Sequence, residues 1–156
     1  MSWSLHVKNG DLNPSGPGGL AVVTGTQKVF QDLKHWLLEP RGTDAMHPEF
    51  GSSLDGGRNL DGTVIGTNIG EVMDRERVMD IEAEIRRILY AYMQQQVERI
   101  RRESIELRGK NTLTAGELVA AVERLDVLPI HDVVLARVYL RVQAGGLVNL
   151  LQPVGS

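Results

Sequence analysis

The sequence predicts an α+β fold, with helices packed on one side of a small antiparallel or mixed sheet that includes a C-terminal β-hairpin. Three observations support this prediction. Apolar residues recur at helical spacing in two segments, one short and one long. Near the C-terminus apolar and polar residues alternate instead, which is the period of a strand with one buried face. A Gly145-Gly146 pair follows that strand and predicts the turn of a hairpin.

The length and composition of the chain indicate a single domain, residues 1–156. Hydrophobic residues make up 42% and charged residues 24% of the 156 positions, which is typical of a globular protein with a substantial core. The net charge of −3 gives no general attraction to nucleic acid. No apolar run approaches the roughly 20 residues of a membrane span, and the N-terminus lacks a signal-peptide pattern. We therefore expect neither a nucleic-acid nor a membrane partner.

The sequence does not predict a site for a cofactor, a metal or a small-molecule substrate. The chain has no cysteine, which excludes disulfides and thiolate ligands. The oxygen ligands of Asp55, Asn59 and Asp61 lack the order of a calcium-binding loop. The histidines are scattered and form no metal-binding or catalytic motif: His6, His35, His47 and His131.

Residues 1–18 are interpreted as an extended N-terminal arm, because prolines and glycines interrupt any regular period there. Trp3, Leu5 and Val7 alternate with polar residues, which favours a short strand. Trp3 either contacts a partner or packs back onto the chain's own core.

A short strand and the first helix follow this arm. Leu20–Val23 is a β-favouring run that stops at the turn signal Thr24-Gly25. Pro40 ends the helix, because the residue before a proline avoids the α conformation, so Glu39 and Arg41 flank a fixed corner. Thr26 is predicted to cap this helix, and its apolar face is predicted to contain Val29, Phe30, Leu33, Trp36 and Leu37.

Residues 42–66 show neither helical nor strand period, and a loop of that length inside a domain is usually functional or disordered. Tight turns are predicted within it at Asp55-Gly56-Gly57 and at Asp61-Gly62. Its one aromatic residue stands in the motif Pro48-Glu49-Phe50-Gly51.

The long helix is predicted from about Val78 to Glu103, which is roughly 39 Å at about 1.5 Å per residue. A capping-box match at Asn68 and Glu71 favours a helical start further upstream. The apolar stripe is buried in the chain's own core or, in its second half, projects toward a partner. Gln94-Gln95-Gln96 marks the point where the helix would leave the core. The stripe consists of Ile81, Ile85, Ile88, Leu89, Tyr92 and Ile100.

A third helix and the C-terminal hairpin complete the prediction. Thr114-Ala115-Gly116-Glu117 is a second capping-box match, and the helix after it would bury Leu118, Val119, Val122 and Leu125. His131–Val142 is predicted to be a strand, and Leu147–Leu151 its hairpin partner, which Pro153 stops. The strand's open face would carry Arg137, Tyr139 and Arg141, and its buried face Val134, Ala136, Val138, Leu140 and Val142.

An ordered set of short motifs occupies the first 55 residues: Asp11-Leu12, Gly19-Leu20-Ala21-Val22-Val23-Thr24-Gly25, Gln31, Leu37-Leu38, Pro48-Glu49-Phe50-Gly51 and Leu54. This set resembles the lysozyme-like baseplate wedge family, whose members are sheath initiators of contractile phage tails and related contractile injection systems. The resemblance implies a structural, non-enzymatic virion protein of the tail baseplate, assembled in the host cytoplasm. It also implies that the partners are the tail sheath subunit, the wedge-core proteins and a tail tube or hub protein.

The resemblance further implies that the sheet is a template on which the first sheath subunit adds its strands. A small sheet has edges with unpaired amide and carbonyl groups, and another chain can complete such an edge by β-augmentation. The predicted hairpin is expected to supply this contact through Val138, Leu140 and Val142.

A Glu-Pro-Arg triplet is common in the family and is implicated in docking onto the wedge core. Glu39-Pro40-Arg41 spells this triplet after the first helix, whereas the family position after the long helix matches Glu98-Arg99 without the proline. Both are candidates, because an arginine offers a planar, bidentate fork to a carboxylate. An internal Glu39–Arg41 ion pair is the alternative. If Glu98-Arg99 is the family motif, residues 104–129 are an insertion relative to shorter members.

Two other functions are alternatives. A peptidoglycan-cleaving enzyme needs two carboxylates about 5 to 9.5 Å apart, one of them with a raised pKa. Glu39, Asp44 and Glu49 are close in sequence, but Arg41 favours the ionised form of Glu39, and 4% aromatic residues are few for a sugar-binding cleft. The second alternative is a self-associating adaptor whose long helix pairs with its own copy.

Overall fold

The computed structural model describes residues 4–8, 11–14, 19, 21–58, 61, 63–65, 75–107, 112–130 and 133–153. These residues contain two helices, α1 (Gly25–Leu38) and α2 (Arg75–Glu106). The predicted α+β class is confirmed. The strands are β1 (Ser4–Leu5), β2 (Val7–Lys8), β3 (Asp11–Leu12), β4 (Val22–Val23), β5 (Pro40–Arg41), β6 (Ser52–Arg58), β7 (Val64–Ile65), β8 (Val119–Ile130), β9 (Val133–Val142) and β10 (Leu147–Pro153).

The main sheet has three antiparallel strands in the order β10-β9-β8. A second sheet, β5-β6-β7, is mixed, because β5 runs parallel to β6 and β7 runs antiparallel to it. Two short ladders, β1-β4 and β2-β3, lie in the N-terminal part of the chain. The buried residues of α1 and α2 share one hydrophobic core with those of β8, β9 and β10. The helices therefore cover one face of the main sheet, as the sequence predicts.

Helix α1 has the predicted apolar face but a different start. It begins at Gly25, which has φ 59°, after an extended Thr24 that makes no side-chain cap. The prediction of Thr26 as the cap is therefore wrong, because glycine tolerates the positive φ needed to enter the helix one residue earlier. Phe30 is partly exposed. The other predicted residues are buried: Val29, Leu33, Trp36 and Leu37.

Helix α2 is longer than predicted, about 48 Å at about 1.5 Å per residue. Its capping-box match at Asn68 lies outside the described residues. Gln96 is buried and is the last buried residue of α2, so the helix leaves the core after it, as the sequence predicts. Its Nε2 donates to the carbonyl of Glu117 (2.7 Å), and its Oε1 accepts from the amide of Val119 (3.0 Å). The predicted stripe is buried at Ile81, Ile85, Ile88, Leu89 and Tyr92, whereas Ile100, beyond Gln96, is only half-buried.

The predicted third helix is wrong. The capping box forms, since the amide and the hydroxyl of Thr114 both donate to Glu117 Oε2 (2.7 and 2.9 Å). The chain makes a single turn there and continues as β8. A short helix is marginal by itself, whereas β-branched residues such as Val119 and Val122 favour a strand that pairs with β9 along its length. The segment 104–129, interpreted as an insertion, thus supplies a strand of the main sheet.

The segment 42–66 is more regular than predicted. Its second half contains β6 and β7, and the loop proper spans residues 42–51. The turn predicted at Asp55-Gly56-Gly57 is wrong, because these residues lie within β6 with φ of 85° at Gly56 and 129° at Gly57. Asn59 and Gly62 lie outside the described residues.

The C-terminal hairpin is confirmed. β9 and β10 pair antiparallel around a turn in which Gly145 has φ 83°. His131 lies outside the described residues, and the strand begins at Val133. The alternation along β9 also holds, with Val134, Ala136, Val138, Leu140 and Val142 buried.

The N-terminal arm is tied to α1 by one side chain. Gln31 Oε1 accepts from the amide of Val7 (2.9 Å), and its Nε2 donates to the carbonyl of Leu5 (2.7 Å). These are the bonds that a neighbouring strand would make with an extended segment. Trp3 lies outside the described residues.

Glu103 holds the chain that follows α2. Its carboxylate accepts hydrogen bonds from the hydroxyl (2.6 Å) and the amide (2.8 Å) of Thr112, and from Arg99 Nε (2.8 Å). These contacts, led by the Thr112 hydroxyl, lower the pKa of Glu103 from 4.5 to about 2. Because the folded-state pKa is the lower one, the stabilisation is complete above the unfolded-state value near 4.5 and is lost as the pH falls toward 2.

We expect the Tm to fall as the pH is lowered from about 5 to about 2, and Glu103→Gln to remove part of that fall. Glutamine has nearly the shape of glutamate but does not titrate. Thermal unfolding followed by circular dichroism at several pH values measures the effect. Glu106→Gln, at an exposed position on the same helix, is the matched control. A Glu103→Gln profile parallel to wild type through this range would contradict the assignment.

Candidate functional site

Three residues, Glu39, Pro40 and Arg41, form a corner where α1 ends; they are named the Glu-Pro-Arg corner below. Glu39 has an extended backbone (φ −74°, ψ 125°), as is favoured before a proline, so the helix stops at Leu38. Pro40 and Arg41 are β5 and pair with β6 in parallel. Because the proline fixes its own φ, the backbone sets the direction in which the chain leaves the corner.

Ser52, at the start of β6, ties the corner to α1. Its amide donates to the carbonyl of Glu39 (2.8 Å), and its hydroxyl donates to the carbonyl of Leu37 (2.7 Å). The last carbonyls of a helix have no partner within the helix itself. A buried serine from a later strand therefore completes the end of α1.

Two glycines allow the backbone to come close to the corner. A Cβ at Gly51, which has φ 91°, would lie 2.5 Å from the carbonyl oxygen of Glu39. A Cβ at Gly57, which has φ 129°, would lie 2.6 Å from the carbonyl oxygen of Arg41. Any other residue would displace the corner, so the Pro48-Glu49-Phe50-Gly51 motif ends in glycine for a steric reason.

The aromatic residue of that motif closes the loop onto α1. Phe50 packs edge-to-face against Trp36, with ring centroids 4.7 Å apart. Pro48 and Glu49 are exposed. The motif is thus a loop closure through Phe50 and Gly51, and its first two residues face solvent.

Helix α2 holds the same loop through an ion pair. Arg87 Nη2 donates to the carbonyl of Gly51 (2.9 Å), and Glu84 accepts from the amide of Ser53 (2.8 Å). Arg87 Nε lies 2.7 Å from Glu84 Oε2. Burial raises the pKa of Glu84, but the hydrogen bonds from Arg87 and Ser53 outweigh burial and hold that pKa below its ordinary value. The corner and its loop are therefore fixed from both helices.

The charges of the Glu-Pro-Arg corner do not neutralise each other. Glu39 accepts a hydrogen bond from the Thr43 hydroxyl (2.7 Å) rather than from Arg41. The Arg41 guanidinium makes no hydrogen bond or ion pair with the part of the chain that the structure describes, and its Nε is buried without a partner. Buried donors are nearly always satisfied. The internal ion pair of the sequence analysis is not observed, and Arg41 keeps an unused donor.

A second arginine, which sequence reasoning missed, lies close to Arg41 along the backbone pairing of β5 with β6. Arg41 pairs in register with Gly57, the residue before Arg58. Arg58 is exposed and has no ion-pair partner within the described ranges. The parallel pairing of β5 with β6 brings the backbones of the two arginines close to each other, and no sequence motif indicates that pairing.

The other docking candidate, Glu98-Arg99, is arranged differently. Arg99 donates from Nε to Glu103 (2.8 Å) and from Nη2 to the Thr112 hydroxyl (2.9 Å). Its guanidinium therefore ties the end of α2 to the segment before β8. Glu98 is exposed on the same helix. Of the two candidates, only the corner has an arginine with an unsatisfied donor among the described residues.

The structure corrects the prediction that Val138, Leu140 and Val142 contact a sheath strand. All three are at most 1% exposed. They lie on β9, which pairs with β10 on one side and with β8 on the other. A central strand has no free backbone edge, so strand addition to this sheet must use β8 or β10.

The edge of β8 is irregular. Its pairing with β9 shifts register between Val119 and Ala121 and again between Val122 and Arg124. Pro129 stands near its end. Bulges and prolines are the features by which natural sheets protect an edge against further pairing.

The edge of β10 is regular, since its seven residues pair with β9 without a register shift. Within the described residues, no backbone hydrogen bond joins β10 to any element other than β9. Antiparallel strands present alternate residues to their two sides. The hydrogen-bonded pair formed by Val142 and Gly146 (3.0 Å) places the outward amides and carbonyls at Leu147, Asn149 and Leu151.

A groove of about 470 Å³ lies beside this free edge. It separates β10 from the N-terminal arm, and α1 lines it between them. The partial exposure of Phe30, predicted as a core residue, is explained by its place in this groove. The groove is lined by the arm at His6 and Val7, by α1 at Phe30 and Lys34, and by β10 at Leu147 and Asn149.

The carboxylates weighed for a peptidoglycan-cleaving enzyme do not form an acid–base pair suited to it. Asp44 accepts hydrogen bonds from the amide of Met46 (2.8 Å) and from the ring of His47 (3.1 Å), which lower its pKa. A general acid needs the opposite shift. Glu39 is bonded to Thr43, and Glu49 is exposed.

The described residues contain no group of three or more His, Cys, Asp or Glu side chains placed to hold a metal ion. Within the same ranges, neither helix is both long and apolar enough to span a bilayer.

Comparison with known proteins adds no assignment. The chain matches no protein-family model, no curated protein and no solved structure. The resemblance to baseplate wedge proteins rests on the motifs quoted from the first 55 residues.

Proposed function

We propose that this protein is a structural component of a contractile tail baseplate, which docks on the wedge core and starts the tail sheath. The observation that carries the proposal is the regular, unprotected edge of β10 beside a groove. Sheets that do not receive another strand usually protect such an edge, as β8 does here. The motifs shared with baseplate wedge proteins support the same function.

Strand addition to β10 would use both its backbone and its side chains. The outward amides and carbonyls of Leu147, Asn149 and Leu151 supply the main-chain bonds. Leu147 and Leu151 are exposed on one face of the strand. Side chains of an added strand would stand beside them, and such cross-strand apolar pairs each add to the stability of a sheet. The partner in this proposal is a strand of the first sheath subunit.

Docking on the wedge core would use the Glu-Pro-Arg corner. Arg41 has an unsatisfied donor on a backbone that Pro40, Gly51 and Gly57 hold in place. A carboxylate of the partner would bind the terminal nitrogens of the Arg41 guanidinium, since the Nε itself is buried, with a charge-assisted bond, which is stronger than a neutral one. The ring symmetry of a baseplate would multiply such contacts, so a single corner needs only modest affinity.

Co-expression of the tagged chain with the sheath and wedge-core subunits encoded in the same genome tests the proposal. We expect Asn149→Pro to reduce retained sheath protein at least about tenfold, because it removes an outward amide without breaking the pairing with β9. Wedge-core retention should be unchanged. Asn149→Ala is the matched control, since it keeps the amide. Arg41→Glu should give the converse result, with the wedge core lost and the sheath retained.

Retention of neither subunit by the wild-type chain would refute the proposal. Equal sheath retention by Asn149→Pro and wild type would refute the assignment of β10. Clearing of a cell-wall suspension by the purified protein would support the peptidoglycan-cleaving alternative instead.

A further inference from the structure

We infer that the solvent face of α2 pairs with the same face of a second copy, antiparallel, about a two-fold axis near Tyr90. This self-association is independent of the proposed baseplate function, and each can fail without the other. The helix provides a long surface for it, since it runs over 32 residues and its core-facing stripe ends at Gln96. Apolar exposure, surface shape and charge on that face support the pairing.

Four apolar side chains of α2 are exposed. Met79, Tyr90, Val97 and Ile105 are 60%, 57%, 58% and 74% exposed. Met79, Tyr90 and Val97 are separated by eleven and seven residues, both close to a whole number of 3.6-residue turns, so these three share one line along the helix. Ile105, eight residues after Val97, lies about 80° around the helix from that line. The core-facing residues, such as Ile85, lie on the opposite side. An amphipathic helix needs one apolar stripe to fold, and α2 has a second one.

The solvent face of α2 has a depression near the end of the helix. Glu98, Arg101, Arg102 and Ile105 line a surface depression of about 370 Å³. They occupy positions i, i+3, i+4 and i+7. Four residues at this spacing form the hole that receives a side chain from a second helix in a coiled coil. The depression therefore fits a helix rather than a strand or a loop.

The charges on the solvent face of α2 favour an antiparallel copy of the same helix as the partner. Exposed charges of both signs stand at each end of α2, with Arg75 and Asp80 in the first turns and Arg101 and Glu106 near the end. None of the four has an ion-pair partner within the described residues. An antiparallel copy related about the middle of the helix places Asp80 opposite Arg101 and Arg75 opposite Glu106, whereas a parallel copy in register would place like charges together.

The numbering sets the register. The middle of α2 falls between Tyr90 and Ala91. Asp80 lies ten residues before Tyr90, and Arg101 lies ten residues after Ala91. A two-fold axis at the middle therefore brings Asp80 of each copy opposite Arg101 of the other. Met79, one residue earlier, then lies at the depression and is the side chain that enters it.

Sedimentation equilibrium of the full chain tests this pairing. We expect a concentration-dependent dimer, with Kd raised at least about tenfold by Asp80→Arg or by Arg101→Glu alone. The double variant should return Kd to within about threefold of wild type, because the exchanged charges again face each other. Lys34→Glu, at an exposed position on α1, is the control for charge reversal away from the face. A wild-type chain that stays monomeric up to about 100 μM, or a double variant without rescue, overturns the inference.

Cysteine cross-linking tests the position of the axis. The chain has no cysteine, so a single introduced thiol reports only on its own position. Tyr90→Cys should form a disulfide-linked dimer under mild oxidation, because a two-fold axis near Tyr90 brings the two thiols together. Gln95→Cys, which is also at an exposed position but on another side of α2, should not form such a dimer at the same protein concentration. Equal cross-linking at both positions would overturn the inference.

Discussion

Replacing Gly51 with alanine is expected to lower the free energy of unfolding by about 3 kcal/mol or more. Two costs combine at this position. The φ of 91° is strained for any residue with a Cβ, and that Cβ would lie 2.5 Å from the carbonyl oxygen of Glu39. Relief of the contact requires the corner to move away from the loop. Urea denaturation followed by circular dichroism measures the change.

Gly145→Ala separates these two costs. Gly145 has φ 83° in the β9–β10 turn, but nothing lies within 4 Å of an added Cβ. This variant is therefore expected to lose about 1 kcal/mol, the cost of the backbone conformation by itself. If both variants lose the same amount, the close approach of Gly51 to Glu39 does not constrain the corner.

Gln96→Leu is expected to lower the free energy of unfolding by about 2–4 kcal/mol. Leucine has a similar volume, but it leaves the carbonyl of Glu117 and the amide of Val119 without their partner. Each buried polar group left unsatisfied costs about 1–3 kcal/mol. The same denaturation experiment measures the loss.

The neighbouring Gln95 provides the control. Its side chain is exposed on the same helix, so Gln95→Leu should change the stability by less than about 0.5 kcal/mol. A loss equally small for Gln96→Leu would show that water replaces the glutamine at the start of β8, and that this amide does not fix the strand to α2.

The elements that depend only on nearby residues were predicted correctly from the sequence. Pro40 ends α1 where expected, because the restriction on the residue before a proline acts within two residues. The strict alternation in β9 and the glycine pair after it predicted the hairpin for the same reason. Both patterns depend on the chain's own backbone and on one buried face, which the sequence contains directly.

The elements that were mispredicted are those whose structure depends on pairing with distant parts of the chain. The capping box at Thr114 forms, yet the next residues join the main sheet, because pairing with β9 outweighs a local helical start. β6 was mispredicted for a similar reason. Its glycines suggest a turn, but in the structure they allow the backbone of β6 to lie close to Arg41. The burial of the Gln96 side chain was likewise not predicted, because its partners are two backbone groups at the start of β8.

The candidate site could be predicted in part. The sequence identified the Glu-Pro-Arg corner. The Arg41 donor is unsatisfied because Glu39 accepts a hydrogen bond from Thr43 instead, and no sequence motif indicates that contact. The hairpin was expected to offer a free edge, and it does so on β10 rather than through the central residues of β9. The order of strands in a sheet decides which strand is outermost, and periodicity along one strand does not reveal that order.

The side-chain amide of Gln31 makes two hydrogen bonds that join α1 to the N-terminal arm. The arm is also a wall of the groove beside β10, and those two hydrogen bonds, together with the pairing of β1 with β4, hold it in place. Any polypeptide that enters and pushes the wall outward must break them, and fraying of the arm in turn opens the way for entry. The two processes are thermodynamically linked, and each shifts the other by the same free energy. A glutamine on α1 that lines this groove thereby affects how readily the edge of β10 is filled.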